Sequence, residues 1–256
     1  MSKPHLSWSQ ISQYLLCPRA YRYQRIDRLS APGSPAAFVG KVAHSALEFN
    51  FRQKIDSGND RKTDEVTDFF AEAWETNPEL GTIRWTENPA GVHEGGVKAL
   101  RAYMDRLAPQ IQPAKVEERW EISLGDTFPF TLVVVLDLIT VDNVILDNKF
   151  YSRMKSQADV DQDGQLDVYA LAYRVMHKNI EGGLGLAIAT RASTSRAEII
   201  KTVRTNEQIR WRIGQIEDVA QAILAEVFPP QTETFKHNPK WCEYWGICQD
   251  MKSTSN

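Results

Sequence analysis

The chain has 256 residues, of which 42% are hydrophobic and 25% are charged, and its formal net charge at pH 7 is −3. No stretch approaches the ~18 apolar residues of a membrane-spanning helix, and the amino terminus lacks the apolar core of a signal peptide. The odd number of cysteines, three, argues against a secreted disulfide framework. We therefore expect a cytoplasmic globular protein with no membrane association.

Helical patterns dominate the first part of the chain. Ser7 begins a capping box with Gln10 and so predicts the start of a first helix, which runs toward Cys17. The spacing of apolar residues predicts three further helices before the first strand. These helices cover residues 35–58, 64–75 and 92–107.

Strand and helix patterns follow one another in the middle of the chain. Three strands come first, then a helix, two more strands and a long helix, and this order predicts an α/β fold with a mixed central sheet flanked by helices. We expect one domain, with a mainly helical part over 1–113, a sheet-containing core over 114–228 and a cysteine-bearing tail over 229–256. The predicted strands cover residues 116–124, 128–139, 144–150, 183–190 and 197–203, and the helices 165–176 and 205–228.

The second and third predicted strands carry the side chains with the clearest chemistry. Asp147 and Lys149 are two residues apart, so they point to the same face of a strand. If the strands pair as a hairpin through residues 142–143, Asp137 comes close to both. Such pairs are also common as solvated ion pairs, but Asp137 interrupts an aliphatic run of the kind that is buried, where a carboxylate needs a partner or a metal. Two carboxylates and an ammonium on one face are typical of metal-dependent nucleases.

Basic residues are unevenly distributed, although the net charge does not indicate a nucleic-acid partner. Residues 1–31 combine basic side chains with aromatic rings, and a second basic cluster covers residues 191–212. Such strips can follow a phosphate backbone and stack unpaired bases. Solvated helix faces beside core aromatics are an equally good interpretation of either cluster. The candidate DNA-contacting residues are Arg19, Tyr21, Arg22, Tyr23 and Arg25.

Five segments, in order along nearly the whole chain, resemble the RecB-like nucleases of the PD-(D/E)XK superfamily. Each segment alone is a weak signal, but five in register are a strong one. The resemblance implies a restriction-endonuclease-like core with an amino-terminal helical elaboration. The segments are residues 6–11 with 17–23, the Gly-x-x-x-His-x-x-Leu-Glu pattern at 40–48, Asp137 with Asp147-x-Lys149, the Gln-x-x-x-Tyr pattern at 165–169, and the tail at 241–248.

The resemblance implies a metal centre on this sheet face. Its ligands would be His44, Asp137, Asp147 and the carbonyl of Asn148. Hard ligands of this kind suit Mg²⁺ or Mn²⁺. Without the resemblance, His44 would be interpreted as an ordinary core or surface histidine.

The resemblance also implies catalytic roles for side chains that do not bind the metal. Lys149 would orient the attacking water or stabilise the charge that develops on the phosphate. Gln165 and Tyr169 are spaced i, i+4 and share a helix face, from which they would contact Lys149 and the scissile phosphate. By themselves, a polar residue and a core tyrosine would be the preferred interpretation of this pair.

The cysteines match part of an iron–sulfur pattern found in related nucleases. Cys17, Cys242 and Cys248 fit three of its four positions, but the fourth falls on Pro239. A [4Fe–4S] cluster normally needs four thiolates, and His237 is the only soft replacement nearby. We therefore expect a metal-free remnant. A bound cluster would use the three cysteines and a fourth ligand other than cysteine.

The resemblance implies hydrolysis of DNA phosphodiesters by an end-dependent exonuclease of recombination or repair, with phage-encoded and CRISPR-associated relatives. The helicase motif Gly-x-x-x-x-Gly-Lys-Ser/Thr does not occur, so unwinding would come from a helicase or recombination partner. The alternatives are a structure-dependent endonuclease and a catalytically silent nucleic-acid-binding or assembly subunit of the same fold. The presence of all core motif residues disfavours the silent subunit.

Overall fold

The computed structural model describes residues 3–248, which form a mixed six-stranded sheet flanked by helices. A π-helical turn at Arg22–Ile26 follows the second helix. The α-helices are α1 (Trp8–Leu16), α2 (Pro18–Tyr21), α3 (Pro35–Ser57), α4 (Thr63–Glu75), α5 (Pro89–Arg106), α6 (Gln157–Asp161), α7 (Gly164–His177) and α8 (Asn206–Leu224). The strands are β1 (His5–Ser7), β2 (Pro113–Ile122), β3 (Thr131–Thr140), β4 (Val144–Tyr151), β5 (Gly183–Thr190) and β6 (Ala197–Thr202).

The sheet is mixed because it contains both parallel and antiparallel strand pairs. Its strand order is β1-β3-β4-β5-β6, and β2 also pairs with β3. β3 and β4 are antiparallel, and Asn143 in the turn between them adopts a φ of 61°, a left-handed conformation that asparagine tolerates. β4 and β5 are parallel, with α6 and α7 between them in the chain, and β6 returns antiparallel to β5. The predicted fold class is confirmed.

The chain folds into two compact units, each built from separate stretches of sequence. The first unit comprises the described residues of Met1–Pro32, Glu121–Val134 and Asn206–Asn256, and the second comprises Gly33–Trp120 and Val135–Thr205. The division at residues 113 and 228 that we expect from the sequence follows element order and remains a prediction. None of the helices among residues 3–248 is long and apolar enough to cross a bilayer.

Helix α3 is the main support of the second unit. Ser34 caps its first turn by accepting a hydrogen bond from the Ala37 N–H at 3.2 Å, and it ends at Gly58, whose φ is 73°. Its apolar stripe packs toward α4, α5 and β4. Burying a large side chain such as Phe38 or Phe51 stabilises the fold by about 1.5–3 kcal/mol. This packing fixes the helix that carries His44.

Candidate active site

The hairpin of β3 and β4 brings the two aspartates together. The pair Leu138–Leu146 sets the strand register, and one further step along the ladder places Asp137 opposite Asp147. Opposite residues of an antiparallel pair share one face of the sheet. The side chains lie in the interior, since Asp137 is 6% and Asp147 0% exposed.

Helix α3 places the His44 ring between a carboxylate and the backbone of β4. Its Nδ1 lies 3.3 Å from Asp137 Oδ2, and its Nε2 lies 2.7 Å from the Asn148 carbonyl oxygen. The Asn148 N–H donates to Asp137 Oδ2 at 2.8 Å, and the Tyr103 hydroxyl donates to Asn148 Oδ1 at 2.5 Å. If Nε2 carries the proton, the Asn148 carbonyl oxygen, which we expected to be a metal ligand, accepts a hydrogen bond from this N–H, and the Nδ1 lone pair faces the carboxylates.

Glu117, which the sequence pattern alone does not single out, joins this cluster. Its Oε1 lies 4.0 Å from His44 Nδ1, and burial raises the pKa of its carboxyl while His44 opposes the rise. Glu117 lies within β2 but has a φ of 52°, a left-handed conformation that costs a non-glycine residue about 1 kcal/mol or more. The only hint of this role in the sequence is that Glu117 directly follows the apolar Val116 within a predicted strand.

A closed set of contacts links Asp147 to the three polar side chains on its other side. Lys149 Nζ lies 2.6 Å from Asp147 Oδ2 and donates to Gln165 Oε1 at 3.2 Å. Gln165 Nε2 donates to the Tyr169 hydroxyl at 2.7 Å, and this hydroxyl donates to Asp147 Oδ1 at 3.2 Å. The structure thus brings Gln165 to Lys149, the lysine that the resemblance associates with it, and links Tyr169 to Gln165 and Asp147.

Burial and the paired charges determine the protonation states of the site. Burial raises the pKa of Asp147 to about 6, a rise that Lys149 opposes and Asp137 increases. Burial disfavours the Lys149 ammonium, but Asp147 and Asp137 outweigh that effect and raise its pKa. Burial and Asp147 also raise the pKa of Tyr169. At neutral pH, Lys149 is therefore a cation and Tyr169 a neutral hydrogen-bond donor.

Helix α7 is held in place by a buried arginine that follows β6. Arg204 donates a very short hydrogen bond to Asp167, which lies in the first turn of α7. Its Nη2 donates to the carbonyl oxygens of Val160 and Asp163 at 3.0 and 3.1 Å. The Asp163 side chain caps α7 by accepting from the Gln165 N–H at 2.8 Å. These contacts fix the end of α7 from which Gln165 reaches Lys149.

An open cleft of about 580 Å³ borders the cluster. It is lined by His44, Glu117 and Lys149 together with residues from the first turns of α3. The second unit therefore offers space beside the carboxylates for a ligand as large as a nucleotide, since pockets for such ligands are roughly 300–1,000 Å³.

A family model described as the PD-(D/E)XK nuclease superfamily matches residues 5–249. The chain belongs to this superfamily. The crystal structure of a "Putative exonuclease" from Eubacterium rectale is similar in fold, with a TM-score of 0.58 and 13% identity over 91% of this chain and 86% of that chain. The structure of SSO0001 is more distant, with a TM-score of 0.41 and 12% identity over 98% and 88% of the two chains. A search of curated proteins found no significant match.

The donor set agrees with the divalent metals used by PD-(D/E)XK nucleases. His44, Glu117 and Asp137 each offer one donor atom, and these atoms lie within 4.8 Å of one another. Imidazole and carboxylate donors suit Mg²⁺ and Mn²⁺. Asp137 and Asp147 are two buried carboxylates on one sheet face, and they repel each other when both are ionised. A cation bound beside both would relieve that repulsion.

The amino-terminal tyrosines that we expected to contact DNA are inside the first unit. Tyr21 and Tyr23 are each 4% exposed. The Tyr21 ring stacks on Phe228 at 6.2 Å, and the Tyr23 ring lies 5.4 Å from Tyr244. Base stacking on these two rings is therefore a wrong expectation, because core packing covers their faces.

The arginines in the same segment as these tyrosines have partners within the protein. Arg19 Nε donates to the Phe228 carbonyl oxygen at 2.8 Å. Arg22 lies 3.3 Å from Asp27, and Arg25 Nε donates to Gln13 at 3.2 Å. Arg22 and Arg25 remain exposed, so DNA contact by these two stays a prediction.

The second basic cluster is partly buried. Arg204 and Arg212 are 5% and 8% exposed, and the Arg212 guanidinium lies 4.8 Å from the centre of the Trp8 ring. These two arginines support the fold and do not form a solvated basic strip.

The three cysteines lie in the first unit, form no disulfide with one another and are each half-buried. Burial raises the pKa of Cys242, and Cys17 and Cys248 are close enough to contribute to the rise. Tyr244 packs beside them and donates from its hydroxyl to the Leu29 carbonyl oxygen at 3.2 Å. The tail therefore meets the amino-terminal helices, and the state of the thiols stays a prediction.

Proposed function

We propose that this protein is a divalent-metal-dependent deoxyribonuclease of the RecB-like type that removes nucleotides from DNA ends. One observation carries the proposal. His44, Asp137, Asp147 and Lys149 converge beside an open cleft, in a chain of a nuclease superfamily. The name of the Eubacterium rectale relative supports the exonuclease assignment.

The metal would be held by His44, Glu117 and Asp137, with Asp147 as a further carboxylate ligand. Mg²⁺ or Mn²⁺ bound there supplies Lewis acidity and lowers the pKa of a coordinated water. The Asn148 carbonyl, engaged by His44 at 2.7 Å, is the remaining candidate ligand.

The other polar residues act through hydrogen bonds. Lys149 is protonated and has no lone pair, so its N–H groups orient the attacking water or stabilise charge on the phosphate. Gln165 holds the ammonium at 3.2 Å, which limits the positions that Lys149 can adopt. Tyr169 donates to Asp147 and so keeps one carboxylate oxygen oriented. We propose contact with the scissile phosphate for Gln165 and Tyr169 as well.

The proposed biological role is end processing in DNA recombination or repair, with a helicase or recombination partner for unwinding. Membership of a nuclease superfamily supports the part of this role that consists of DNA hydrolysis.

Cleavage of end-labelled single-stranded, duplex and circular DNA, with Mn²⁺, Mg²⁺ or EDTA, tests the proposal. We expect short products from linear DNA only when metal is present. Asp147→Asn should remove this activity, while Asp142→Asn, at an exposed turn residue of the same hairpin, should retain it. Efficient cutting of circular DNA would favour a structure-dependent endonuclease, and DNA binding without cleavage would favour a silent subunit.

A further inference from the structure

Two loops leave the same edge of the sheet beside the candidate active site. The strands β4 and β5 are parallel, so both end at this edge. The loops that follow them cover residues 152–156 and 191–196. At the start of the second loop, the Arg191 N–H donates to the carbonyl oxygen of Tyr151, the last residue of β4, at 2.8 Å. Tyr151 lines the cleft, so both loops begin at the border of the cleft.

The two loops are basic, although the chain as a whole has a net charge of −3. Neither loop contains an aspartate or a glutamate. None of their cationic side chains has a carboxylate within 4 Å among residues 3–248, whereas the buried Arg204 is paired with Asp167. Unpaired charges of one sign create a local potential that attracts anions. The cations are Arg153, Lys155, Arg191 and Arg196.

Arg191 shows most clearly that a partner is missing. It is half-buried, and its Nε is buried without a hydrogen-bond partner among the described residues. Burial lowers the pKa of its guanidinium, and Glu87 opposes this effect from beyond ion-pair distance. Helix α5 packs closely on its backbone, since a Cβ on Gly95 would lie 3.3 Å from the Arg191 carbonyl oxygen. A guanidinium that loses water without gaining an anion is unfavourable, and a phosphate group offers the oxygens that it binds best.

We propose that residues 152–156 and 191–196 form a phosphate-binding surface for the substrate strand, separate from the scissile phosphate, and that Arg191 binds one phosphate where this surface meets the cleft. The proposal rests on the proposed function and names further residues that position the DNA. Lys155 Nζ lies 5.3 Å from the centre of the Tyr151 ring, which places a second cation at the same border. Contacts to phosphates hold the strand without reading its sequence.

The phosphate-binding surface is too far from the metal ligands to contact the reacting group. A strand rises about 3.3 Å per residue, so Tyr151 lies about 13 Å along β4 from Asp147. One strand of a duplex advances about 3.4 Å per nucleotide, so the contacted phosphates lie up to about four nucleotides from the cleaved bond. The surface therefore affects binding of the strand and leaves the chemical step to the metal cluster.

The test neutralises one exposed cation in each loop, in the double variant Arg153→Gln/Arg196→Gln. The matched control, Arg106→Gln/Lys201→Gln, removes the same charge from exposed residues that line a different cavity of the same unit. All four are surface substitutions, so both variants should keep the melting temperature of the wild type. The single variant Arg191→Gln is measured beside them.

Binding of a fluorescent single-stranded oligonucleotide is measured in EDTA at several salt concentrations, and its cleavage in Mn²⁺. Each phosphate contact contributes about 0.7 to the slope of log K against log salt concentration, so the loop variant should lose about 1.4 of this slope and Arg191→Gln about 0.7. For the loop variant, KM should rise about tenfold while kcat stays unchanged, since the metal cluster is intact. The control should match the wild type.

A neutral methylphosphonate linkage distinguishes phosphate binding by Arg191 from a structural role. The linkage is placed in turn at each position up to about four nucleotides from the cleaved bond. At one position it should weaken binding by the wild type but not by Arg191→Gln, because the same contact cannot be lost twice. If every linkage weakens both proteins equally, Arg191 does not bind a phosphate.

The two proposals can fail separately. If the loop variant keeps the salt dependence of the wild type, or the control loses as much, the phosphate-binding surface is disproved and the nuclease assignment stands. If the wild type binds DNA without cleaving it and the loop variant loses salt dependence, the nuclease assignment fails and the surface stands. A wild type that binds no oligonucleotide overturns the inference.

Discussion

Asp147 is buried beside a second carboxylate, and this placement determines how the site responds to pH. Its pKa of about 6 in the folded protein exceeds the ordinary value for an aspartate of about 3.9. The folded state therefore binds a proton more tightly than the unfolded state. It follows that the contribution of this group to stability falls as the pH rises from about 4 to about 6.

We expect metal affinity and metal-free stability to change in opposite directions with pH. Metal binding requires the ionised carboxylate, so Mn²⁺ affinity should fall by up to about tenfold per pH unit below 6. The melting temperature of the metal-free protein should be higher at pH 5 than at pH 7, for the reason given above. Mn²⁺ titrations and thermal unfolding measure the two effects. In Asp147→Asn, both the Mn²⁺ affinity and the melting temperature should depend less on pH. A wild-type protein in which neither quantity changes with pH would contradict the raised pKa of Asp147.

Glu117 combines a strained backbone with a place in the metal cluster. Its φ of 52° is favourable for glycine and unfavourable for glutamate. Residues held in such conformations are common at functional sites. The carboxylate position near His44 therefore comes at a cost in stability.

Glu117→Gly should separate stability from metal binding. We expect the melting temperature to hold or rise, because the strain of about 1 kcal/mol is relieved, while Mn²⁺ affinity falls about tenfold or more. Glu118→Gly is the matched control, since Glu118 lies next to it in β2 without a positive φ. It should lower stability slightly and leave metal affinity unchanged. Equal Mn²⁺ affinities for Glu117→Gly and wild type would remove Glu117 from the ligand set.

At the scale of elements, α7 depends on a residue outside it. Arg204 follows β6 and binds both the end of α6 and the start of α7. Its side chain is 0% exposed and pairs with Asp167. The position of Gln165 relative to Lys149 therefore depends on an interaction that connects distant parts of the sequence.

Arg204→Leu should destabilise the fold by about 3 kcal/mol or more, the usual cost of breaking a buried ion pair. The double variant Arg204→Leu with Asp167→Leu should recover much of that loss. Urea unfolding measures both, with the exposed Arg210→Leu as a control expected within about 0.5 kcal/mol of wild type. A loss for Arg204→Leu no larger than for Arg210→Leu would show that the pair does not stabilise α7.

At the scale of the whole molecule, the amino-terminal helices and the segment that follows α8 meet in the first unit. Arg19 Nε donates a hydrogen bond to the Phe228 carbonyl oxygen, and the Tyr14 hydroxyl donates to the Val227 carbonyl oxygen at 2.5 Å. Cys17 and Cys242 lie near each other in the same unit. These contacts close the unit without a disulfide among its described residues.

We therefore expect the first unit to be stable without iron. Anaerobically purified protein should show no absorbance near 400 nm and no stoichiometric iron. Replacing all three cysteines by serine should shift the melting temperature by only a few degrees, because half-buried thiols act as small apolar groups. A brown protein with bound iron would defeat the prediction of a metal-free remnant.

Much of the element order could be predicted, because it depends on local patterns. The Ser7 capping box is present, α3 begins and ends as predicted, and β5 has the predicted bounds. The short helix α6 and the π-helical turn were missed, since elements of five residues contain too little periodicity to be recognised.

The sequence alone determined the residues of the β3–β4 hairpin, since the spacing of Asp147 and Lys149 assigns them to one face whatever surrounds the strand. Only the tertiary structure decided what lies beside them. Glu117 joins the cluster through a backbone conformation that propensity disfavours, and Tyr21 is covered by Phe228 from a distant part of the chain. Local periodicity indicates which face a side chain takes, but its exposure and neighbours depend on packing between elements that are far apart in sequence.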